Sequence, residues 1–309
     1  MAVNNTPVCG LCGAPAPRAI AAVGPFRLHQ CRECGVQFRR HANGVDQPDE
    51  FSEDEVALQG YEELYVPGRT RTYDRVLEVL GDGAGRRLLD VGCALGWFMQ
   101  AARERGYETW GIEPHSGVAR RASQTIGGPV EAGILEDTRY EDASFDVVTL
   151  MDVLEHTVDP ALCLDRVWRL LDDGGTVVIR VPDTAGLLPR VSLWMHRLTG
   201  GRFAQPLWLL WRFHRWGFDG RSLARLLEER GFRAVARYGE DAQDLTMMRH
   251  KPWARNKLLY SAVAAIIHLS HFAGSYDEVV MVARKCARRR AARQDQQEGR
   301  GAGRLREPL

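Results

Sequence analysis

From Arg71 onward, short apolar runs alternate with segments in which apolar residues recur every three or four positions. Apolar runs bounded by turn-forming residues are typical of buried strands, and we expect strands at 88–91, 109–112, 145–151, 176–181, 233–238 and 278–283. Helical periodicity predicts helices between them, over 98–105, along Leu164, Val167, Trp168 and Leu171, and along Leu223, Leu226 and Leu227 up to Gly231. This alternation predicts an α/β fold, with a mostly parallel sheet covered by helices on both faces.

Composition and charge narrow the classes of protein to consider. The chain has 309 residues, of which 45% are hydrophobic, so it can bury a core. Its net charge is +1, but residues 284–309 hold nine basic and three acidic residues, so this tail carries +6 and the remainder −5. A body of negative charge binds polyanions poorly, and nucleic acid is therefore not an expected partner.

Targeting and membrane signals are weak. The first residues lack the basic and apolar stretches of a secretory signal, so a cytoplasmic location is expected. The longest strongly apolar stretch, 258–273, falls short of the ~20 residues of a spanning helix, so no transmembrane segment is predicted. It predicts a core-facing helix. The alternative is an interfacial helix, which together with the basic tail would support weak peripheral contact with membrane lipid carriers.

Two Cys-x-x-Cys pairs lie near the start of the chain, at Cys9, Cys12, Cys31 and Cys34. Four thiolates on two tight turns can surround Zn²⁺ tetrahedrally, and the glycine after each pair lets the turn fold back on the sulfur atoms. Since sulfur fills all four positions, such an ion is structural rather than catalytic. We predict a zinc ribbon at 1–40, a linker with a helical lead-in at 41–68, and a disordered basic tail at 287–309.

A loop of small residues joins a predicted strand to a predicted helix at 88–98, where backbone N–H groups can face a ligand. The glycine pattern of dinucleotide sites is incomplete here, and Asp90 at the strand end would repel a pyrophosphate but suits an ammonium group. Glu113 ends the next strand, 21 residues after Gly92, and can accept both hydroxyls of a ribose. S-adenosylmethionine has both an amino acid head and a ribose, so these two acids predict it as the cofactor.

An ordered series of motifs accompanies this loop: Asp90-x-Gly-x-Ala-x-Gly96, Glu113-Pro114, and the segments 144–148, 152–160, 170–175, 231–232 and 277–280. Over residues 61–286 the series resembles the class I S-adenosylmethionine-dependent methyltransferases, and within them the bacterial enzymes that carry a four-cysteine zinc ribbon before the catalytic domain. The resemblance implies a Rossmann-like seven-stranded methyltransferase sheet with helices on both faces, in a domain at 69–286 with an aromatic insertion at 184–219.

The loop and the resemblance together assign the cofactor site. Its expected residues are Asp90, Gly92, Cys93, Ala94, Gly96, Trp97, Glu113, Pro114, Ile134, Leu135 and Met151. Ala94 departs from the family's usual central glycine. Ile134 stands where the family often has an acid, so we expect Ile134 and Leu135 to pack on the adenine, with Glu136 or Asp137 at its amine.

Methyl transfer from a sulfonium is an in-line displacement, so alignment provides most of the catalysis and a base is needed only for a protonated acceptor. His156 is the first candidate base, with Glu155 or Asp152 as an orienting acid, and His214 is the second. The alternative is that His156 only fixes its loop. The insertion holds four of the eight tryptophans and either covers the acceptor or forms a small helical core of its own.

The function we expect is methyl transfer to a small-molecule, saccharide or lipid-linked acceptor, at oxygen. One alternative is an RNA methyltransferase whose ribbon and basic tail bind RNA, and the negative charge of the body argues against it. The other is a non-catalytic scaffold with the same fold. The presence of both Asp90 and Glu113 argues against a scaffold.

Overall fold

The computed structural model describes residues 8–42, 66–202, 207, 210–240 and 256–286. The predicted tail at 287–309 lies outside these residues, as does Trp208, and the predicted linker is described only at 41–42 and 66–68. The described strands are β1 (Arg18–Val23), β2 (Phe26–Gln30), β3 (Gln37–His41), β4 (Arg87–Val91), β5 (Glu108–Glu113), β6 (Val130–Ala132), β7 (Phe145–Met151), β8 (Leu171–Pro182), β9 (Trp216–Gly217), β10 (Phe232–Glu240) and β11 (Glu278–Lys285).

The following α-helices accompany these strands, together with short 3₁₀ turns at Leu135–Asp137 and Leu154–His156. They are α1 (Val66–Leu80), α2 (Trp97–Glu104), α3 (Ser116–Ile126), α4 (Pro160–Leu170), α5 (Leu187–Leu198), α6 (Gly220–Glu229) and α7 (Lys257–Phe272). No helix among the described residues is both long enough and apolar enough to cross a bilayer.

The larger sheet has seven strands in the order β10-β11-β8-β7-β4-β5-β6. Strand β11 runs antiparallel to both of its neighbours, and the pairs formed by β4, β5, β6, β7 and β8 are parallel. Each strand predicted from the apolar runs is present, and the predicted Rossmann-like α/β fold is confirmed. One boundary was wrong: Leu171, which continues the helical periodicity of α4, begins strand β8 instead.

Both faces of this sheet are buried, because neighbouring residues of the strands point to opposite sides. Leu89, Val148 and Ile179 belong to one core, which α4 and α6 complete through residues such as Leu164 and Leu223. The next residue toward the N-terminus of each of these strands, Leu88, Val147 and Val178, belongs to the other core, covered by α1 and α2. The carboxyl ends of β4, β5 and β7 therefore meet at one edge of the sheet, between the two helical layers.

A second sheet of four strands lies at the N-terminus, in the order β1-β2-β3-β9. Its fourth strand comes from the insertion, where Trp216 pairs with Phe38 and Gly217 pairs with Gln37. A separate apolar cluster joins β1 and β2 to the insertion through contacts among Ile20, Val23, Phe26, Leu28, Leu207 and Trp211. The N-terminal module and the insertion thus share one sheet and one core.

Candidate active site

The loop after β4 brings two buried carboxylates to one end of the sheet. Asp90 is 3% exposed, and its Oδ1 accepts a hydrogen bond of 2.6 Å from the hydroxyl of Thr149 in β7. Glu113, at the end of β5, is 7% exposed. Asp90 pairs with Gly111 in the register of the two strands, so both acids stand near the carboxyl edge, on either side of the loop.

Tight backbone contacts fix the loop between these acids. The N–H groups of Gly92 and Cys93 both donate to the carbonyl of Ile112, at 2.8 and 3.0 Å. Gly92 has a φ of +69°, and a Cβ there would lie 2.5 Å from the side chain of Val153, so only glycine fits. Ala94 also adopts a positive φ, of 48°, which explains why a glycine is usual at this position of the family pattern.

Glu113 connects the loop to the segment that follows β5. Its Oε2 accepts from the N–H of Ala94 and its Oε1 from the N–H of His115, both at 3.1 Å. Burial raises the pKa of Glu113, and these two N–H groups oppose the shift. Each carboxylate oxygen has two acceptor positions, so one position per oxygen remains for a ligand hydroxyl.

The other expected cofactor residues divide into exposed and buried groups. Ile134 is 48% exposed, whereas Leu135 is buried in the larger core, so the side chain of Leu135 packs against the protein instead of facing a ligand. Cys93 is buried, and a Cβ added to Gly111 would lie only 2.7 Å from its sulfur atom. Gly96 caps the start of α2 at Trp97, which is half-buried, Met151 is buried, and Pro114 is exposed.

The four cysteines of the N-terminal module come together. Sγ of Cys9 lies 3.8 Å from that of Cys34, and Sγ of Cys12 lies 3.5 Å from that of Cys31. All four sulfur atoms lie within 4.8 Å of one another. A tetrahedral zinc ion with Zn–S bonds of about 2.3 Å needs sulfur atoms about 3.8 Å apart, so the cluster fits this ion. Both glycines that follow the pairs, Gly13 and Gly35, have a positive φ, as the turns require.

The candidate catalytic residues stand where a 3₁₀ turn after β7 meets the insertion. Three hydrogen bonds join the two segments: Nδ1 of His156 donates to the carbonyl of Phe213 at 2.9 Å, the N–H of Arg215 donates to the carbonyl of Glu155 at 2.9 Å, and Nε1 of Trp216 donates to the carbonyl of Thr157 at 2.9 Å. The rings of His156 and His214 therefore stack edge to face, with 4.9 Å between their centroids.

The ionisation of this cluster follows from its burial. Burial lowers the pKa of His214 to about 3, and the neighbouring His156 adds to the shift. Burial and then the negative charge of Asp152 raise the pKa of Glu155 well above its ordinary value. His214 is thus a neutral imidazole at pH 7, and Nε2 of His156 lies 3.9 Å from Oε1 of Glu155.

A buried guanidinium beside this cluster was missed in the sequence. Arg180 in β8 forms ion pairs with Asp152, with Glu240 at 3.6 Å and with Glu278 at 3.7 Å. Burial opposes its charge, but the three carboxylates raise the pKa of Arg180. An arginine within the apolar run 176–181 was the available signal, since a charge in a buried strand needs partners from elsewhere in the chain.

The insertion packs on the N-terminal module. Trp211 and Trp216 are buried, whereas Trp194 is 60% exposed. Arg39 of β3 donates through Nη1 to the carbonyls of Trp211 and Arg212, at 2.9 and 2.7 Å. The described part of the insertion therefore has a core, as one of the two interpretations predicted. It shares that core with the N-terminal module that carries the four cysteines, which we call the cysteine module.

The doubly covered sheet and the glycine-containing loop after β4 define a class of protein, the Rossmann-like α/β proteins that bind a nucleoside at the carboxyl edge of the strands. Residues 65–237 match the family of the methyltransferase domain, and the chain belongs to this family. A solved structure, the S-adenosylmethionine-dependent methyltransferase from Archaeoglobus fulgidus, superposes with a TM-score of 0.51 over 75% of this chain and 100% of its own, at 19% identity. At this identity the match shows the fold.

Curated relatives match a shorter stretch. The ubiquinone biosynthesis O-methyltransferase of Psychrobacter arcticus is 36% identical over 108 residues, which are 31% of this chain and 40% of the relative. The enzyme of the same description from Alkalilimnicola ehrlichii is 35% identical over 111 residues, 34% of this chain and 45% of the relative. The chain thus spans less than half the length of these relatives.

Proposed function

We propose that this chain transfers a methyl group from S-adenosylmethionine to an oxygen atom of a small-molecule acceptor. The observation that carries the proposal is the pair of buried carboxylates, Asp90 and Glu113, on either side of the loop at the ends of β4 and β5. Asp90 suits the ammonium group of the donor, and Glu113 keeps one acceptor position on each oxygen for the ribose hydroxyls. When bound, the donor supplies a methyl group activated by the adjacent sulfonium.

The acceptor end of the site lies after β7, at the 3₁₀ turn of Glu155 and His156 and at His214 of the insertion. An acceptor hydroxyl must lose its proton, and Nε2 of His156 is the first candidate to take it, since Nδ1 is held by the carbonyl of Phe213. The curated relatives are described as O-methyltransferases, which supports oxygen as the acceptor atom. Saccharide and lipid-linked acceptors belong to the panel to be tested.

Isothermal calorimetry with S-adenosylmethionine tests the donor site. Glu113→Gln keeps the size of the side chain but loses one charged acceptor, worth about 1.5–3 kcal/mol, so we expect the donor Kd to rise about 10- to 100-fold. Asp90→Asn should weaken binding as well. The matched control is Glu108→Gln, an exposed acid at the opposite end of β5, which should bind like the wild type. Equal affinity in all four proteins would refute the donor site.

The acceptor is tested with donor labelled in the methyl group and fractionated cell extract. We expect label in a small-molecule fraction and an O-methyl product by mass spectrometry. Label in RNA, lost steeply as salt increases, would replace this proposal with the RNA methyltransferase alternative. Donor binding without label in any fraction would favour a non-catalytic scaffold.

We also propose that Cys9, Cys12, Cys31 and Cys34 hold a structural Zn²⁺, which their sulfur separations support. Cysteines that bind zinc instead of forming disulfides would support a reducing compartment such as the cytoplasm. Weak peripheral contact with lipid carriers would use the exposed Leu269 and Phe272 of α7, and vesicle sedimentation tests it.

A further inference from the structure

An orphaned carboxylate stands beside two imidazoles at the acceptor end of the site. Glu155 is 1% exposed, and neither of its oxygens receives a hydrogen bond from any described residue. A buried carboxylate without a partner is costly, so proteins neutralise it with a proton, a basic side chain or a metal ion. The ligand atoms of Glu155, His156 and His214 lie within 4.8 Å of one another.

We propose that Glu155, His156 and His214 form a second metal site, which binds a divalent first-row transition ion with one carboxylate oxygen and two imidazole nitrogens. Three protein ligands leave at least one coordination position open, in contrast to the four-cysteine cluster. This role rests on the function proposed above: the open position would take the acceptor hydroxyl and lower its pKa, so that its proton would leave to solvent and His156 would not be needed as the base.

The hydrogen bonds of the two segments support a ligand role for the histidines. Because the carbonyl of Phe213 can only accept, Nδ1 of His156 carries the hydrogen that it donates, so Nε2 is the ring nitrogen that can bind a metal. Zinc ligands at about 2.1 Å are about 3.4 Å apart, so closing the site takes a contraction of at most about 1.4 Å, within the reach of side-chain rotation.

The surrounding charge also favours a cation. Asp152, Glu240 and Glu278 surround Arg180, and Asp152 and Glu278 also act on Glu155. Four carboxylates therefore face one guanidinium in this buried region. On the other side, Arg39 approaches His214 from β3, but its Nη1 is taken by two backbone carbonyls. A divalent ion at Glu155 would offset the surplus of negative charge.

Coordination and general-base catalysis exclude one another, because both use the Nε2 lone pair of His156. Metal binding is measured directly, in the absence of donor, acceptor and turnover. The probe is Co²⁺ added to the full chain with its cysteine cluster loaded with zinc, followed by calorimetry and visible absorption. Cobalt bound by nitrogen and oxygen lacks the sulfur-to-metal charge-transfer absorption of cobalt bound by thiolates, so the two sites are distinguished.

We expect one equivalent of Co²⁺ to bind without thiolate absorption, and to raise the melting temperature by roughly 4 to 8 °C at ~100 times its Kd. Glu155→Gln and His214→Ala should raise that Kd at least ~100-fold, since even loss of an outer partner of a metal ligand costs 10–100-fold. Glu155→Gln also removes a buried carboxyl group that lacks a hydrogen bond, so without Co²⁺ it should be at least as stable as the wild type.

The matched control is His196→Ala, which removes a buried histidine elsewhere, in α5, and should bind Co²⁺ like the wild type. Absence of binding, or thiolate absorption that survives Glu155→Gln, would overturn the inference. Donor affinity, measured separately by calorimetry, tells failure of this metal site from failure of the proposed function, since Asp90 and Glu113 take no part in it.

Discussion

The side chain of Trp216 provides the sharpest test of how the cysteine module joins the methyltransferase domain. It is 7% exposed, packs on Phe38 with 6.0 Å between ring centroids, and would contact a Cβ on Gly10 at 3.0 Å. Its Nε1 donates to the carbonyl of Thr157, directly after the 3₁₀ turn of Glu155 and His156. Trp216 thus connects the module, the insertion and the acceptor end of the site.

We expect Trp216→Ala to lower the free energy of unfolding by about 4–6 kcal/mol. Truncation of a buried tryptophan costs about 3–5 kcal/mol, and the carbonyl of Thr157 loses a hydrogen bond worth about 1 kcal/mol. An independent figure comes from area: about 150–250 Å² of apolar surface at 25 cal/mol per Å² is about 4–6 kcal/mol. The matched control, Trp194→Ala, removes the same side chain where it is 60% exposed, and should cost less than about 1 kcal/mol.

Urea unfolding followed by far-ultraviolet circular dichroism measures both variants, and zinc release measured in parallel reports on the cysteine cluster. A shift of the midpoint with an unchanged slope means that the module unfolds with the rest of the chain. Early zinc release with a reduced slope means that the module has detached first. If Trp216→Ala and Trp194→Ala differ by less than about 0.5 kcal/mol, the packing of Trp216 is not what holds the module in place.

Two further predictions concern the parallel sheet. Burial, followed by the charges of Asp90 and Glu113, raises the pKa of the Cys93 thiol. Iodoacetamide at pH 8 should therefore leave Cys93 unmodified while it alkylates the half-buried Cys286. Rapid alkylation of Cys93 would contradict this prediction. Asp146 accepts from Nε and Nη2 of Arg87 at 3.2 and 2.9 Å, which lowers the pKa of Asp146. The stabilisation of the fold by this ion pair is therefore present at pH 7 and lost as the pH falls below about 3.9 toward the folded pKa of Asp146. Asp146→Asn should lower the free energy of unfolding by about 1 kcal/mol at pH 7 and by little in acid. An equal loss at both pH values would refute the pairing.

The sequence predicted best those features that depend on neighbours in the chain. The apolar runs of β4 and β7 are strong because both faces of those strands are buried, and the turn after β4 requires Gly92 at a positive φ. The cysteine pairs were equally local, since each pair sits on one turn. At the end of α4, by contrast, periodicity continued through Leu171, because a buried position in β8 looks the same as one more turn of helix.

Features made by distant contacts escaped prediction. Strand β9 has two residues, too few for any periodic pattern, and it exists because β3 offers an edge to Trp216 and Gly217. The partners of Arg180 come from three other segments of the chain. Glu155 or Asp152 was predicted to orient His156, and that role stays a prediction. The structure shows the two oxygens of Glu155 buried without a hydrogen bond from the described residues, which no pattern in the sequence indicates.

The donor end and the acceptor end of the site should respond differently to perturbation. The donor end depends on contacts between adjacent strands, as in the bonds from Thr149 to Asp90 and from Ala94 to Glu113. The acceptor end depends on the insertion. The insertion pairs with β3 of the four-stranded sheet through β9, and its Trp216 bonds to the carbonyl of Thr157. Loss of zinc from the cysteine cluster should therefore disturb His214 and the acceptor end first, while the affinity for S-adenosylmethionine stays near that of the intact protein. Because β3 of the cysteine module pairs with β9 of this insertion, we expect the module to support the acceptor end of the site.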